Sequence, residues 1–176
     1  MAPASEQDLL RKLDELGIET RTRRHRPVYT VAESKALRGD LPGGHCKNLF
    51  LRDKKRNLWL VVTEEDRPVD LKSLRRRLDA SGNLSFGSAE LLDEALGVEP
   101  GAVTPFALIN DSGRRVRVVL DRTMMEHEVL NYHPLDNAAT TAIRPDDLLR
   151  FIQACGHPVA VIDLDEREER EGRERA

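Results

Sequence analysis

Long apolar runs, paired cysteines and aromatic side chains are all scarce in this sequence. No stretch approaches the roughly 18 consecutive apolar residues that a membrane-spanning helix needs. The two cysteines, Cys46 and Cys155, form neither a CxxC pair nor a disulfide framework, so we expect reduced thiols. The first residues, Met-Ala-Pro-Ala-Ser-Glu, lack the basic and apolar regions of a signal peptide. We therefore expect a cytoplasmic protein with no membrane partner.

Standard catalytic signatures are also absent. There is no GxSxG elbow, no HExxH pair and no dinucleotide-binding glycine pattern. The stretch 43–47 fails as a phosphate loop, because glycine does not directly precede Lys47 and no Ser or Thr follows it. The five histidines lack metal-ligand spacing apart from a loose pair, so we expect neither a metal nor a cofactor. His45 and Cys46 adjoin, but neighbours on a strand point to opposite faces, which suits a thiol nucleophile poorly.

The overall composition is that of a globular protein. The chain has 176 residues, 39% of them hydrophobic and 34% charged, which is enough for one domain with its own core. We assign residues 1–164 to that domain. Residues 165–176 are almost entirely Glu and Arg and have no apolar face, so they are expected to form a frayed or disordered tail.

The net charge of −3 hides an asymmetry along the chain. Residues 1–80 carry 18 Lys and Arg against 13 Asp and Glu, whereas residues 81–176 carry 10 against 18. The basic half contains three clusters, which are Arg21, Arg23, Arg24 and Arg26; Arg52, Lys54, Lys55 and Arg56; and Lys72, Arg75, Arg76 and Arg77. Such clusters suit a polyanion if the fold gathers them on one face, and are otherwise ordinary solvated surface.

The hydrophobic pattern predicts a mixed α/β protein of the α+β type. Helices are expected to begin at Ser5, Asp70, Ser88 and Pro145, where capping residues precede apolar stripes. Leu49–Asp53 and Leu58–Thr63 flank a polar turn and predict a hairpin, and Phe106–Ile109 with Val116–Leu120 predict a second one. Further strands are expected at residues 19–25, 129–132, 138–143 and 159–163.

Lys47 is the most informative residue of the chain. It precedes the alternating apolar strand that begins at Leu49 and follows Pro42-Gly43-Gly44, a loop signal. Lys47 is therefore expected to open a strand at the rim of a sheet. A primary ammonium there is a natural contact for phosphate, and desolvation can lower its pKa towards proton transfer. The alternative is a surface lysine at the start of a strand.

Two further segments carry unusual patterns. In residues 97–105, Gly101 and Pro105 bracket a loop whose backbone has few side chains to obstruct it, and exposed N–H groups on such a loop can hold a carbonyl or an oxyanion. In residues 131–141, His133 and Pro134 end one strand before Thr140-Thr141 begins another, which leaves His133 at a rim. Each segment has an alternative interpretation as an ordinary connection between elements.

Together these residues resemble the YbaK-like prolyl-tRNA editing domain superfamily. The resemblance rests on His45-Cys46-Lys47-Asn48-Leu49-Phe50-Leu51, on the GxxxP of residues 101–105, and on His133-Pro134 followed by Asn137 and Thr140-Thr141. It runs collinearly from about Arg24 to Asp163 and is nearest to the free-standing alanyl-tRNA(Pro) deacylases. It implies the editing-domain fold, with a central mixed β-sheet or barrel flanked by helices.

The resemblance also implies an activity and roles for particular residues. The expected reaction is hydrolysis, in trans, of the ester that joins alanine to the terminal adenosine of mischarged tRNA(Pro). Catalytic roles are implied for Lys47, Gly101 and His133, and contacts with the substrate for Asn48, Pro105 and Asn137. The basic residues Lys54, Lys55, Arg56, Arg75, Arg76 and Arg77 are the expected tRNA contacts. Prolyl-tRNA synthetase and an elongation factor are the possible protein partners.

Other functions stay open from the sequence. A cysteinyl-tRNA(Pro) deacylase of the same fold would differ only in its pocket. A non-catalytic tRNA-binding or regulatory module would use the basic half alone. Recognition of DNA is not expected, because the sequence has neither a helix-turn-helix pattern nor a zinc module.

Overall fold

The computed structural model describes residues 2–27, 30–38 and 41–164. These residues form a mixed α+β fold in which helices flank a central mixed sheet, as the sequence predicts. The helices are α1 (Glu6–Glu15), α2 (Val31–Arg38), α3 (Leu71–Arg77), α4 (Ala89–Leu96) and α5 (Pro145–Ala154). The strands are β1 (Arg21–Arg24), β2 (Gly44–Arg52), β3 (Leu58–Glu64), β4 (Ser85–Phe86), β5 (Val116–Asp121), β6 (Leu130–Tyr132), β7 (Ala139–Ile143) and β8 (Val159–Ile162).

The strands lie in the order β1-β7-β6-β2-β3-β5-β8, and β4 pairs with β2. Neighbours are antiparallel between β1 and β7, β7 and β6, and β2 and β3. They are parallel between β6 and β2, β3 and β5, and β5 and β8. β2 therefore joins the two halves of the sheet. It runs parallel to β6 on one side and antiparallel to β3 on the other.

Apolar residues fill both faces of the sheet. The main core lies on the face covered by α1, α4 and α5, and includes Leu13, Leu96 and Phe151. A smaller cluster lies under α3 and includes Leu51 and Leu74. We call these two sides the main-core face and the α3 face. Successive side chains on β2 alternate between them.

The predicted helix ends are confirmed by their caps. The Ser5 side chain accepts from the backbone N–H of Asp8, and the Asp8 carboxylate accepts from that of Ser5. Asp70 caps α3 through the N–H of Lys72. Ser88 caps α4, which ends at Gly97 with φ of 65°. Each of these caps is formed by residues close in sequence, so it can be predicted without knowledge of the tertiary contacts.

The second predicted hairpin is wrong. Residues 105–110 form a 3₁₀ helix, preceded by a shorter one at Pro100–Ala102, and a third lies at Met124–Glu126. Thr104 begins the longer 3₁₀ helix, because its hydroxyl accepts from the N–H of Phe106 and its carbonyl accepts from that of Ala107. Val116–Asp121 is a strand as predicted, but its partners are β3 and β8.

The start of the chain also differs from expectation. The first strand is shorter than the predicted residues 19–25. The helix α2 is not predicted, although the Thr30 hydroxyl accepts from the N–H of Glu33 at 3.0 Å, as a helix N-cap does. β2 begins at Gly44, so Lys47 is its fourth residue and does not open it. The charged segment 165–176 lies outside the described residues.

Candidate functional site

Lys47 lies inside β2, where it pairs with Thr63 of β3. Residues directly opposite each other in an antiparallel pair share a face of the sheet. Lys47 is four residues from Leu51, whose side chain lies in the cluster under α3, so Lys47 also lies on the α3 face. Its side chain is half-buried. Burial lowers the pKa of Lys47 below its usual 10.5, and the carboxylate of Asp66 opposes that shift. The shift has the direction that desolvation of a lysine gives, whereas the predicted position of Lys47 at the opening of the strand is wrong.

β2 and β6 are paired over only two residues. Gly44 lies opposite Leu130 and His45 opposite Asn131 in a parallel ladder. In a parallel pair, residues an even number of steps beyond a matched pair stay on the same face. Lys47 and His133, each two residues beyond the His45–Asn131 pair, therefore lie on one face where the strands separate. The pairing thus places these two predicted residues on the same face of neighbouring strands.

Asn131 fixes the entry into β2 against β6. Its side chain is 6% exposed, and its Nδ2 donates to the carbonyls of Pro42 at 3.1 Å and Gly44 at 3.2 Å. Gly43 has φ of 102°, and a Cβ there would lie 2.8 Å from the carbonyl oxygen of Val129. Only glycine fits this approach. Pro42-Gly43-Gly44 is consequently a close contact between strands as well as a loop.

His133 is half-buried and has a defined tautomer. Its Nδ1 donates to the carbonyl of Ala139 at 2.8 Å, which places the ring proton on Nδ1 and leaves Nε2 as an acceptor in the neutral form. Burial lowers the pKa of His133 below 6.5; the bond to Ala139 opposes this, and nearby His25 reinforces it. The imidazole is therefore neutral at pH 7.

His25 extends the polar surface around His133. The two ring centroids are 6.1 Å apart. His25 Nδ1 donates to the carbonyl of Arg26 at 2.7 Å, so its Nε2 accepts from the Thr140 hydroxyl at 2.8 Å. His25 was missed by the sequence interpretation, because its partner Thr140 is 115 residues away and nothing local marks the contact.

A cavity of ≈ 60 Å³ lies where β2 and β6 separate. It has space for a group of only a few atoms, such as a small side chain with one or two waters. Asn48 contributes to it from the main-core side of β2, and its Oδ1 is shielded from solvent without a hydrogen-bond partner among the described residues. The lining residues are Leu41, His45, Cys46, Asn48, Glu65, Asn131, Tyr132, His133 and Thr140.

Cys46 is a thiol and not a thiolate in this setting. Burial raises its pKa to about 12, against the effect of a hydrogen bond with Tyr132, and acidic neighbours add to the rise. His45 lies on the opposite face of the strand and its Nε2 bonds the carbonyl of Leu41 at 2.9 Å. The thiolate is the nucleophilic form. The geometry thus agrees with the expectation that this pair is poorly arranged for nucleophilic catalysis.

The predicted loop with Gly101 and Pro105 is held against β6. Gly101 is half-buried within the first 3₁₀ helix, and Pro105 is buried at the start of the second. The Phe106 ring packs edge-on against Tyr132, with centroids 6.1 Å apart. The loop is therefore connected to the residue that precedes His133, through a contact that sequence reasoning did not find.

Asn137 lies in the turn between β6 and β7. The turn is tightened by the Asp136 carboxylate, which accepts from the N–H of Ala138 at 2.9 Å, and by Leu135, which has φ of 71°. Asn137 itself is half-buried. It follows His133 on the turn that shapes the rim of the site.

Two of the predicted basic clusters meet at the far end of β2. Lys54, Lys55 and Arg56 occupy the turn between β2 and β3, and Arg75, Arg76 and Arg77 lie on the last turn of α3; all six are exposed. The N–H of Lys54 bonds the carbonyl of Ser81, just after α3, at 2.9 Å. We call these six residues the basic rim. β2 ends at Arg52, about 16 Å along the strand from Lys47 at about 3.3 Å per residue, and the basic rim begins beyond that end.

Buried Asp53 holds the basic rim together. One carboxylate oxygen accepts from the N–H groups of Lys55 and Asn57, and the other from the N–H of Ser81 and the side chain of Asn57, all at 2.8–3.0 Å. Burial acts to raise the pKa of Asp53, but these four hydrogen bonds outweigh it and lower the pKa below 3.8.

A buried ionic network lies beside Lys47 on the α3 face. Asp121 is fully buried, accepts from the Thr63 hydroxyl at 2.7 Å and pairs with Arg67 Nε at 2.8 Å. Thr63 is also the strand partner of Lys47. This network is not predicted from the sequence, because Asp121 is far along the chain from Thr63 and Arg67.

The described residues contain neither a metal-binding cluster nor a membrane-spanning helix. No group of three or more His, Cys, Asp or Glu side chains in ranges 2–27, 30–38 and 41–164 could hold a metal ion. Over the same described ranges, no helix is both long and apolar enough to cross a membrane.

Comparison with known proteins gives matches of three kinds. A model of the aminoacyl-tRNA editing domain family matches residues 25–151. The prolyl-tRNA editing protein ProX of Acetoanaerobium sticklandii is 37% identical over 161 residues, which cover 91% of this chain and 98% of that protein. The prolyl-tRNA synthetase associated domain-containing protein 1 of Danio rerio is 43% identical over 164 residues, 90% of this chain and 89% of its own length.

A solved structure has the same fold. The crystal structure of a protein described only as a candidate trans-editing enzyme for prolyl tRNA synthetase superposes with a TM-score of 0.68 at 18% identity, covering 92% of this chain and 99% of the other. At that identity the likeness concerns the fold alone.

Proposed function

The chain belongs to the aminoacyl-tRNA editing domain family, and on that premise we propose that it deacylates tRNA(Pro) mischarged with alanine, acting in trans. The observation that carries the proposal is that the pairing of β2 with β6 puts Lys47 and His133 on one face of the sheet, and that His133 lines the small cavity between these strands. The substrate would place its aminoacyl group in the cavity and its terminal nucleotide over that face.

Lys47 is assigned to the phosphate or ribose of the terminal nucleotide. Its ammonium is partly desolvated and fixed on a strand, so its attraction for an anion is screened less than that of a mobile surface lysine. A compact ammonium makes a point contact with phosphate, and the same charge stabilises negative charge that develops at the ester in the transition state.

His133 is assigned to positioning the aminoacyl end. The bond from Nδ1 to Ala139 fixes the ring, and the neutral Nε2 accepts a hydrogen bond from a ribose hydroxyl or from the attacking water. Asn48 would line the aminoacyl group in the cavity, and Asn137 and Pro105 would contact the substrate outside that lining. In this role His133 orients a reacting group without forming a covalent bond to the substrate.

The hydrolysis itself needs little beyond orientation. An aminoacyl ester is activated, and a water held in line with its carbonyl gains much of the available acceleration from positioning. Backbone N–H groups near Gly101 are assigned to the ester carbonyl, where they would stabilise the oxyanion. Cys46, with a pKa of about 12, is not assigned a chemical step.

Selection of alanine would follow from the size of the cavity. One extra methylene in a tight apolar pocket costs about 1–3 kcal/mol, which rejects larger side chains but separates alanine from cysteine only modestly. A cysteinyl-tRNA(Pro) deacylase therefore remains the nearest alternative. The limited selectivity for the amino acid also requires that the RNA be recognised, a role we assign to the basic rim. Prolyl-tRNA synthetase or an elongation factor would deliver or protect the tRNA in the cytoplasm.

The proposal is tested by measuring deacylation of purified Ala-tRNA(Pro), Cys-tRNA(Pro), Pro-tRNA(Pro) and Ala-tRNA(Ala) at limiting enzyme. We expect the first to be hydrolysed fastest. Faster hydrolysis of the cysteinyl ester would assign the alternative substrate, and tight binding without hydrolysis of any of the four would make the protein a tRNA-binding module.

A variant links the activity to the site. Lys47→Ala should nearly abolish deacylation while leaving the far-ultraviolet circular dichroism spectrum unchanged, because a half-buried lysine on a strand adds little to the core. Lys12→Ala on α1, which packs on the main-core face, is the matched control and should keep full activity. Normal turnover by folded Lys47→Ala would remove Lys47 from the mechanism.

A further inference from the structure

Phe86 is the exposed large apolar side chain of the described residues, at 61% exposed. It lies on β4, opposite Leu51 of β2, while Leu84 two residues earlier is buried in the cluster under α3. The backbone here is held firmly, because the N–H of Gly87 bonds the carbonyl of Phe50 at 2.9 Å. A fixed strand thus presents an aromatic ring to solvent, where it contributes little to the core.

The surroundings of Phe86 are cationic. Ser85, its neighbour, pairs with Arg52. Arg75 donates to the side chain of Asn83 at 2.7 Å, and Ser81 is bonded to the turn that carries Lys54. The segment 81–86 is therefore bordered by the basic rim, while Arg52 projects from the opposite face of β2. A positive surface with an exposed aromatic ring is the combination that holds single-stranded nucleic acid.

Phe86 also shares a face with Lys47. Phe86 lies opposite Leu51, and Leu51 and Lys47 are four residues apart on β2, so all three side chains are on the α3 face. The separation along the strand is about 13 Å. This exceeds one stacked nucleotide step of about 3.4 Å. A nucleic acid whose terminal nucleotide sits at Lys47 would place an earlier base at Phe86.

We propose that the Phe86 ring is a stacking platform for a nucleobase of the single-stranded 3′ end of the tRNA, upstream of the terminal adenosine, with the basic rim holding the adjoining phosphates. The placement at an upstream base rests on the proposed function. Stacking on an aromatic face tolerates any base, so Phe86 contributes affinity and register, while selectivity among tRNAs is left to other contacts.

The test uses binding of uncharged tRNA(Pro), which does not depend on catalysis. Phe86→Ala should raise the Kd about fivefold or more, whereas Phe86→Trp should retain affinity. The neighbour Ser85→Ala, on the same exposed strand, is the matched control and should bind like wild type. The same variants are then measured on tRNA(Pro) from which the four 3′-terminal nucleotides have been removed, and there Phe86→Ala and wild type should bind equally.

Fluorescence gives a readout that a structural role would not change. The wild-type protein has a single tryptophan, Trp59, which is 2% exposed. Fluorescence of Phe86→Trp should be quenched by intact tRNA and not by the shortened tRNA, after subtraction of the wild-type signal.

Two outcomes would overturn the stacking role. One is that Phe86→Ala binds intact tRNA with an unchanged Kd. If the same variant also lost binding to prolyl-tRNA synthetase, this face would be a protein-binding surface. The other is an equal loss of affinity on intact and shortened tRNA. Failure of deacylation in the separate assay would overturn the proposed function and leave the binding result standing.

Discussion

Removal of the cation that faces Asp121 should destabilise the protein far more than the same change at the surface. Asp121 is fully buried and Arg67 is 19% exposed, with 2.8 Å between Nε and Oδ2. Arg67→Met keeps much of the side-chain volume but leaves the carboxylate without that cation, held by the Thr63 hydroxyl at 2.7 Å and by the N–H of Leu164 at 3.5 Å. Breaking a buried pair from one side costs about 3–5 kcal/mol in free energy of unfolding.

The chain provides a matched control for this change. Arg115 and Glu94 form an ion pair at 3.2 Å in which both side chains are about half or more exposed, at 46% and 67%. Such exposed pairs contribute about 0–1 kcal/mol, so Arg115→Met should cost at most about 1 kcal/mol. The two variants make the same chemical change, and only the burial of the partner differs.

The assay is equilibrium unfolding in urea at pH 7, followed by the fluorescence of buried Trp59, with the free energy of unfolding taken from the midpoint and slope. Adding Asp121→Asn to Arg67→Met removes the uncompensated charge and should recover part of the loss. Equal costs for Arg67→Met and Arg115→Met, or no recovery in the double variant, would refute the argument that a buried charge is left behind.

Three further predictions concern titratable groups. If deacylation needs the Lys47 ammonium, kcat/KM corrected for spontaneous hydrolysis should fall as pH rises, with a midpoint below 10.5. Asp66 raises the pKa of Lys47, so Asp66→Asn should move that midpoint to a still lower pH. Cys46→Ala should retain turnover, as should the wild-type protein in EDTA, and complete loss in folded Cys46→Ala would indicate covalent catalysis. Asp53→Asn replaces a carboxylate that accepts four hydrogen bonds, so buried donors lose their acceptor. The free energy of unfolding in urea at pH 7 should fall by about 1–3 kcal/mol. Because the folded pKa of Asp53 is depressed, its contribution is present above 3.8 and is lost as pH falls through the lower folded value, so the deficit of the variant should shrink in that window.

The parts of the fold that the sequence predicted are those with local causes. Ser5, Asp70 and Ser88 cap their helices through N–H groups two or three residues away, and the hairpin of β2 and β3 needs only one polar turn. The 3₁₀ helix at residues 105–110 was mistaken for a strand, because a short apolar run fits either structure. Thr30, three residues before Glu33, is a readable N-cap signal for α2 that the sequence prediction did not use.

Local sequence patterns do not predict how the residues of the site are arranged in space. Family motifs indicated Lys47, Gly101 and His133, but their placement depends on a parallel pairing between residues 44–45 and 130–131, which are far apart in sequence. His25 depends in the same way on Thr140. Phe86 was not recognised because one aromatic residue in a short strand normally predicts core, and exposure is decided by what covers the strand.

The four hydrogen bonds to Asp53 have a consequence for the entropy of binding. Lys54, Lys55 and Arg56 project from a backbone that is already ordered, and the same carboxylate orders the segment that leads to Phe86. An RNA that contacts this surface would immobilise side chains but would not have to order a loop, so less of the interaction free energy is lost on association. Asp53→Asn loosens the turn without changing any of its cations. It should therefore make the entropy change of RNA binding more unfavourable in isothermal titration calorimetry, even where the salt dependence of Kd, which counts phosphate contacts, stays the same.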